Sequence, residues 1–445
     1  MLAARLGLFP EGAAMIAALF PVVAFLLVLV CTLRSLGWGF VGVFAVGYFS
    51  GIIRANYLGA YTTFLFDFGL LGLYVGFFAG RPRDSAGVWG TPLGHWILAL
   101  IAWPAALVLI PINDYLVQLV ALRATVWFLP AMLIASRLRV ADLALMSRGL
   151  AILNLAVLAG GIYIYFNGVE SLYPDNAVTG IIYSSKDVAD NQYRIPSTFL
   201  SAHAYGGTML FSLPFLLERL FGRRAVSFDR GLMAMGVIAA VGGILMCAAR
   251  QPIVTFILCA IIVWVVSRFN VLIGAFAVTL AVLTALYAST DDRLQRIMTL
   301  DNTEIVSDRV SNSANASFFQ LMADHPLGAG MGSSVGTSIP FFLADRAPEA
   351  IGLENEYGRI LVDQGLVGLA LWLGCLIWLL YRPPPLRLAA PWGLGVVIMF
   401  ALCLTNWATA FIGSGTLSSI PSSVLMLVQM GILVQARTLI GAARG

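Results

Sequence analysis

The chain has 445 residues, of which 60% are hydrophobic and 11% charged, and its mean hydropathy is +0.90. So much apolar surface over this length excludes an ordinary water-soluble protein and predicts a polytopic membrane protein. The net charge of +4 is small, and we expect no nucleic-acid partner.

Thirteen apolar segments along the chain are long enough to be membrane-spanning helices. We predict spans near residues 13–33, 36–53, 57–80, 93–111, 115–136, 146–166, 201–220, 231–249, 252–267, 270–288, 360–381, 389–411 and 418–436. No small-residue cleavage pattern follows the first segment, which we interpret as a retained helix rather than a signal peptide. The expected fold is therefore a single all-α polytopic membrane domain over residues 1–445, with about 12–14 transmembrane helices.

The arginines predict the orientation of these spans. The short loops on one side carry Arg81/Arg83, Arg137/Arg139, Arg223/Arg224, Arg268 and Arg382/Arg387. The positive-inside rule makes that side cytoplasmic. The polar insertions at 167–200 and 289–359 then face outward, as does the short turn at Arg250.

The larger insertion holds 15 of the 48 charged side chains in 71 residues, Ser289 to Arg359. It exceeds ordinary loop lengths, which favours a functional lid or site. We expect a helix near Val310–Met322 that ends at His325-Pro326, followed by glycines at 328–332 that permit positive φ. The run Gly328-Ala-Gly330-Met-Gly332 is not interpreted as a dinucleotide site, because no parallel-sheet strand precedes it.

Three arginines are expected at the outward membrane boundary: Arg194, Arg250 and Arg309. Guanidinium groups gathered at one membrane face suit a lipid-linked diphosphate, because each binds two oxygens at once. The alternative is structural, with each arginine paired to an acid such as Asp190 or Asp308, or extended to lipid headgroups. Twenty-five of the 26 basic residues are Arg, a bias that high genomic GC content would also give.

The segment Glu354-Asn-Glu-Tyr357 immediately precedes a predicted span. A carboxylate at a helix start beside the bilayer suits a general base for a sugar hydroxyl. The alternative is that acids there only favour the helix macrodipole. Asn355, Glu356 and Tyr357 are supporting candidates, with Glu356 either orienting or solvated. His203 is a further supporting candidate in the outward cleft, and its alternative is a hydrogen-bonded core residue.

Cysteine and histidine placement gives no sign of a metal or cofactor. All five cysteines lie inside apolar segments, and the three histidines are far apart in the sequence. We therefore propose no disulfide framework and no metal site, and we expect no cofactor.

The motifs together resemble the bacterial O-antigen polymerase and O-antigen ligase superfamily of membrane glycosyltransferases. The resemblance covers about residues 140–380. It rests on Arg194-Ile-Pro-Ser-Thr-Phe199, Arg250, Arg309, His325-Pro-Leu-Gly-Ala-Gly330, Glu354-Asn-Glu-Tyr357 and Asp363-Gln-Gly-Leu-Val-Gly368. It implies a type C, metal-independent membrane glycosyltransferase that uses undecaprenyl-diphosphate-linked oligosaccharides at the periplasmic face of the bacterial inner membrane. The family's diphosphate-binding arginines carry over to Arg194, Arg309 and, less closely, Arg250.

One departure separates the two branches of that superfamily. In the ligase branch a His precedes Asn at the position that Glu354 occupies here. This departure favours a polymerase of O-antigen or exopolysaccharide type, and it selects Glu354 over Glu356 as the catalytic base. The expected partners are the lipid-linked glycan, membrane lipid and, as a candidate, a chain-length regulator. The alternatives are a ligase that transfers glycan to lipid A core or another acceptor, and a transporter of anionic or lipid-linked sugars.

Overall fold

The computed structural model describes most of the chain outside the larger insertion. The described residues are 11–184, 193–221, 227–267, 318–334, 339–351, 355–385, 388, 390–413 and 415–441, with isolated residues between 271 and 282. Within these ranges the regular structure is helical, and one isolated bridge joins Ser334 to Ile351. Arg309 and Glu354 lie outside the described residues.

Fourteen described helices of seven or more residues carry labels in chain order. They are α1 (Glu11–Arg34), α2 (Leu36–Asn56), α3 (Leu65–Phe78), α4 (Pro92–Val108), α5 (Tyr115–Val126), α6 (Leu129–Ala135), α7 (Val140–Asn167), α8 (Ala202–Phe221), α9 (Ser227–Met246), α10 (Arg250–Val266), α11 (Phe318–Asp324), α12 (Glu356–Leu380), α13 (Gly393–Thr409) and α14 (Ser422–Val434).

Six described helical segments are long and apolar enough to cross a membrane, and a seventh counts if a bent pair of helices near α4 is one span. The six are Ala17–Arg34, Leu36–Asn56, Tyr115–Ala135, Val140–Asn167, Asp229–Met246 and Glu356–Leu380. Four shorter apolar helices, α3, α10, α13 and α14, accompany them. The chain is an all-helical multi-pass membrane protein over its described part. The count of 12–14 stays a prediction, since most of 270–288 lies outside that part.

The chain divides into two compact units, which are described separately. The first comprises Met1–Ala86, Leu138–Ile253 and Ala389–Gly395, and the second comprises Gly87–Arg137, Val254–Leu388 and Val396–Gly445. In the first, α1 packs against α2 and α3, and α7 packs against α2, α8 and α9. In the second, α4 packs against α5, α6 and α12, and α14 packs against α6.

Buried polar side chains join the helices of the first unit. The Tyr48 hydroxyl donates to Asn154 Oδ1 at 2.8 Å, and Asn154 Nδ2 donates to Ser212 Oγ at 2.8 Å, which ties α2, α7 and α8 together. At one end of α9, Asp229 accepts hydrogen bonds from Arg148 of α7 and Arg219 of α8. In lipid, apolar contacts differ little in energy between helix registers. Hydrogen bonds between specific side chains stabilise one register over the others.

In the second unit, α12 is broken at Gly365, whose φ of 67° and ψ of −170° are not helical. A regular helix would pair the Leu366 amide with the Val362 carbonyl. Here the Leu366 amide donates to Pro326 O at 2.9 Å, and Val362 O accepts from the Ala329 amide at 2.8 Å. The helical hydrogen bond between Leu366 and Val362 is therefore absent, and both groups bond instead to the turn after α11.

This turn confirms two expectations from the sequence. The helix α11 ends at Asp324, directly before His325-Pro326, although its predicted beginning near residue 310 lies outside the described residues. The three turn glycines, Gly328, Gly330 and Gly332, have φ values of 90°, 103° and 91°. Residues with a side chain rarely adopt this conformation, so the turn requires glycine at these positions.

The break predicts that Gly365→Ala destabilises the protein. A Cβ at residue 365 would overlap the backbone of Leu327, and the positive φ adds strain of about 1–3 kcal/mol. We expect a clearly lower unfolding temperature for the detergent-solubilised variant. The matched control is Gly90→Ala, since a Cβ there meets no atom within 4 Å. Equal unfolding temperatures for the two variants would contradict a strained break.

Candidate functional site

Arg194 stands at the start of a short non-helical strip in the first unit. The strip, Ile195–Phe199, precedes α8, and all five of its side chains are buried. Ser197 has a φ of 53° within it, an uncommon conformation for a residue with a side chain. Backbone that is neither helix nor sheet needs other hydrogen-bond partners when it is buried.

The strip finds these partners on three sides. The Tyr173 hydroxyl lies 2.8 and 2.9 Å from the carbonyl oxygens of Ser197 and Phe199, and its single proton is shared between them. Thr198 bonds α2 twice, because its hydroxyl donates to Tyr48 O at 2.5 Å and its carbonyl accepts from the Ile52 amide at 3.0 Å. These bonds hold the backbone next to Arg194 in one conformation.

Further contacts bring the strip close to the helices beside it. The Ser197 hydroxyl donates to Val157 O of α7. Gly51 of α2 lies so close that a Cβ there would overlap the backbone of Thr198 and Phe199. Burial raises the pKa of the Tyr173 phenol well above its usual value, so this hydroxyl stays protonated and able to donate.

The Arg194 side chain reaches an exposed histidine. Its Nη1 lies 3.5 Å from Nε2 of His203, which is in the first turn of α8. Arg194 is half-buried, and His203 is exposed. A guanidinium and an imidazole side by side offer several N–H groups to an anionic oxygen. This pair is the structure's candidate site for a phosphate-bearing ligand.

The turn that carries Arg250 belongs to the same unit. The charge of Arg194 acts on Cys247, where it opposes the burial that raises the pKa of this thiol to about 12. Ala248 has a φ of 49°, and Arg250 then begins α10 half-buried. Arg309, the third predicted cation, lies outside the described residues.

In the second unit, Asn355 and Glu356 fix the beginning of α12. Asn355 is the N-cap, and its side-chain oxygen accepts from the Gly358 amide. Glu356 is fully buried, so a solvated role for it is wrong. Its Oε1 accepts from Arg359 Nε at 2.8 Å and from Nη2, and its Oε2 accepts from the amides of Gly415 and Thr416 at 2.8 and 3.0 Å.

The described neighbours of Glu354 therefore act as structural groups. The Tyr357 hydroxyl donates to Trp407 O at 2.8 Å, and its ring stacks on Phe411 with centroids 4.2 Å apart. Because Glu356 already accepts four hydrogen bonds, it has little capacity left to accept a proton from a substrate hydroxyl. Glu354 itself, the predicted base, lies outside the described residues.

Sequence reasoning missed the part that Asp363 plays. Its Oδ1 accepts from the amides of Gly332 and Ser334 at 3.2 and 3.1 Å, and its Oδ2 accepts from Ser334 Oγ at 2.7 Å. Asp363 thus attaches the glycine turn to α12. The i, i+4 spacing of Arg359 and Asp363 predicts a structural pair, and a carboxylate within an apolar span is costly unless it has partners. Neither signal points to the glycine turn.

The sequence matches no protein-family model and no curated protein. Among the described residues no three His, Cys, Asp or Glu side chains are grouped to hold a metal ion.

The bonding of Glu356 predicts that Glu356→Gln unfolds or strongly destabilises the protein. An amide nitrogen replaces one acceptor oxygen, and the buried Arg359 loses its nearest counter-charge. Breaking a buried pair costs on the order of 3–5 kcal/mol. The measurement is folded yield and unfolding temperature in detergent, with Glu349→Gln as the control because Glu349 is exposed. A fully stable Glu356→Gln variant would show that this carboxylate is not structural.

Proposed function

We propose that the chain is a membrane glycosyltransferase that polymerises undecaprenyl-diphosphate-linked oligosaccharide repeat units. The reaction takes place at the periplasmic face of the inner membrane, and the product is O-antigen or exopolysaccharide. Two observations support it. The first is the order and spacing of the motifs from Arg194 to Gly368, and the second is the position of Arg194 beside a hydrogen-bonded strip and His203.

The observation that carries the proposal is the anchoring of Arg194. Hydrogen bonds fix the backbone of the strip that follows Arg194, and the Arg194 guanidinium lies 3.5 Å from the His203 imidazole. Pre-positioned donors stabilise charge that develops during a reaction without a further cost of ordering. A diphosphate leaving group develops such charge, and Arg194 with His203 supplies donors for it.

In the proposed reaction, the hydroxyl at the non-reducing end of an incoming lipid-linked unit attacks the anomeric carbon of the growing chain. The bond between that carbon and the diphosphate oxygen breaks, and undecaprenyl diphosphate leaves with the bonding electrons. Glu354 takes the proton from the attacking hydroxyl, and the arginines bind the leaving diphosphate. A single displacement of this kind inverts the anomeric configuration.

The base role predicts that Glu354→Gln abolishes polymer formation and leaves the folded yield unchanged. The assay uses purified protein in vesicles with lipid-linked repeat units, and it reads product length on the carrier lipid. The described hydrogen bonds of Asn355 and Glu356 do not use the Glu354 side chain. Near-normal polymer from this variant would remove Glu354 from the mechanism.

The diphosphate role predicts graded effects at Arg194. Arg194→Ala should lower the polymerisation rate by about 100-fold or more, as loss of one pre-positioned donor does elsewhere. Arg194→Lys should recover part of the rate, because it keeps the charge but loses the two-pronged geometry. The matched control is Arg346→Ala, whose side chain is exposed and pairs with Asp114 at 3.7 Å. Equal rates for the two alanine variants would exclude this role.

The same assay separates the alternatives by product. A ladder of repeat units on the carrier lipid indicates a polymerase, whereas glycan joined to lipid A core or another acceptor indicates a ligase. The break in α12 favours one candidate of another class, a transporter of anionic or lipid-linked sugars, because transporters bind substrate at unwound helices. Appearance of the lipid-linked unit in the opposite leaflet, without new glycosidic bonds, would indicate that function.

A further inference from the structure

A cavity of about 330 Å³ lies at the ends of two helices in the second unit, α12 and α14. Its wall includes Trp378 and Leu379 near the end of α12, Arg382 just beyond it, and Leu433 near the end of α14. The motifs that support the proposed function do not include these residues. The cavity is therefore separate from the residues proposed for glycosyl transfer.

The charged groups of the cavity are all cationic. Arg382 and Arg437 line it, and both are exposed. No acidic side chain in the described part of the chain forms an ion pair with either of them. Two exposed guanidinium groups at one cavity attract an anion, and their planar geometry suits phosphate oxygens.

An indole positions one of these cations. The guanidinium carbon of Arg382 lies 5.2 Å from the centroid of the Trp378 ring, a cation–π contact. Trp378 in turn packs against Trp96 of α4, with ring centroids 6.5 Å apart. Tryptophan is enriched where membrane helices meet the headgroup region. The cavity thus has the composition of a site at the membrane–water boundary.

The remaining wall is apolar and continuous with membrane helices. Leu379 and Leu433 are buried, while Val434 is 38% exposed. A ligand that fits must therefore combine an anionic head with apolar chains. The volume is at the lower end of the range for small-molecule sites. It suits a phosphate headgroup whose acyl chains extend along α12 and α14.

We propose that this cavity binds the headgroup of an anionic phospholipid. Basic pockets between membrane helices are a recurrent way of binding such headgroups. A simpler explanation of the arginines is that cations near helix C-termini complement the macrodipole. If the arginines only complement the macrodipole, replacing them leaves the affinity for anionic lipid unchanged. If they bind a headgroup, replacing them lowers that affinity.

The test is native mass spectrometry of the delipidated full chain with added dioleoyl phosphatidylglycerol or dioleoyl phosphatidylcholine. We expect phosphatidylglycerol to bind more tightly than phosphatidylcholine. Each basic residue near a membrane surface contributes about fivefold to the affinity for anionic lipid. The double variant Arg382→Ala/Arg437→Ala should therefore bind phosphatidylglycerol about 25-fold more weakly, with unchanged affinity for phosphatidylcholine.

The matched control is Arg83→Ala/Arg230→Ala, which removes two exposed arginines of the first unit. It should keep the phosphatidylglycerol affinity, because it lowers the net charge equally but leaves the cavity intact. Equal losses in the two double variants would overturn the proposal, since they would show a diffuse charge effect. Displacement of the lipid by millimolar inorganic phosphate would also overturn it, since the site would then bind phosphate without the acyl chains.

Discussion

Every buried backbone amide and carbonyl of a membrane protein needs a hydrogen-bond partner inside the protein, because the bilayer core offers none. Buried backbone meets the same need for internal partners at Ile195–Phe199, at the end of the smaller insertion, and at Gly365, within a segment long enough to span the membrane. At Ile195–Phe199 the partners are a tyrosine hydroxyl and atoms of two neighbouring helices. At Gly365 the partners are a glycine turn and the Trp103 indole, which donates to Gln364 O at 2.8 Å.

The burial and hydrogen bonding of Glu356 show that it has a structural role. Glu356 accepts bonds from a guanidinium and from two amides about 60 residues later in the chain. A carboxylate so completely bonded stabilises one arrangement of the polypeptide and has little freedom to exchange protons. Glu356 therefore belongs to the scaffold of α12, while the proposed base, Glu354, immediately precedes the capping residue Asn355.

Hydropathy predicted the positions of the described helices well, because the length and apolarity of a membrane helix depend only on consecutive residues in the sequence. It did not predict where helices break. The expected span at 115–136 matches the candidate span Tyr115–Ala135, but within it α5 ends at Val126 and α6 begins at Leu129, with Pro130 in its first turn. The glycine turn was predictable from local composition. The acceptors of Tyr173 and the donors to Glu356 and Asp363 were not, because these partners are brought together only by the fold.

The bonds of Tyr173 close a loop within the smaller insertion. This residue and the strip that it holds are 24 residues apart in sequence, and the strip is independently bonded to α2 and α7. Polypeptide cut between Ser184 and Tyr193 would therefore remain associated through side-chain and backbone bonds on both sides of the cut. Two halves of the protein produced as separate polypeptides with ends in this interval should assemble, which makes this interval the natural place to divide the chain.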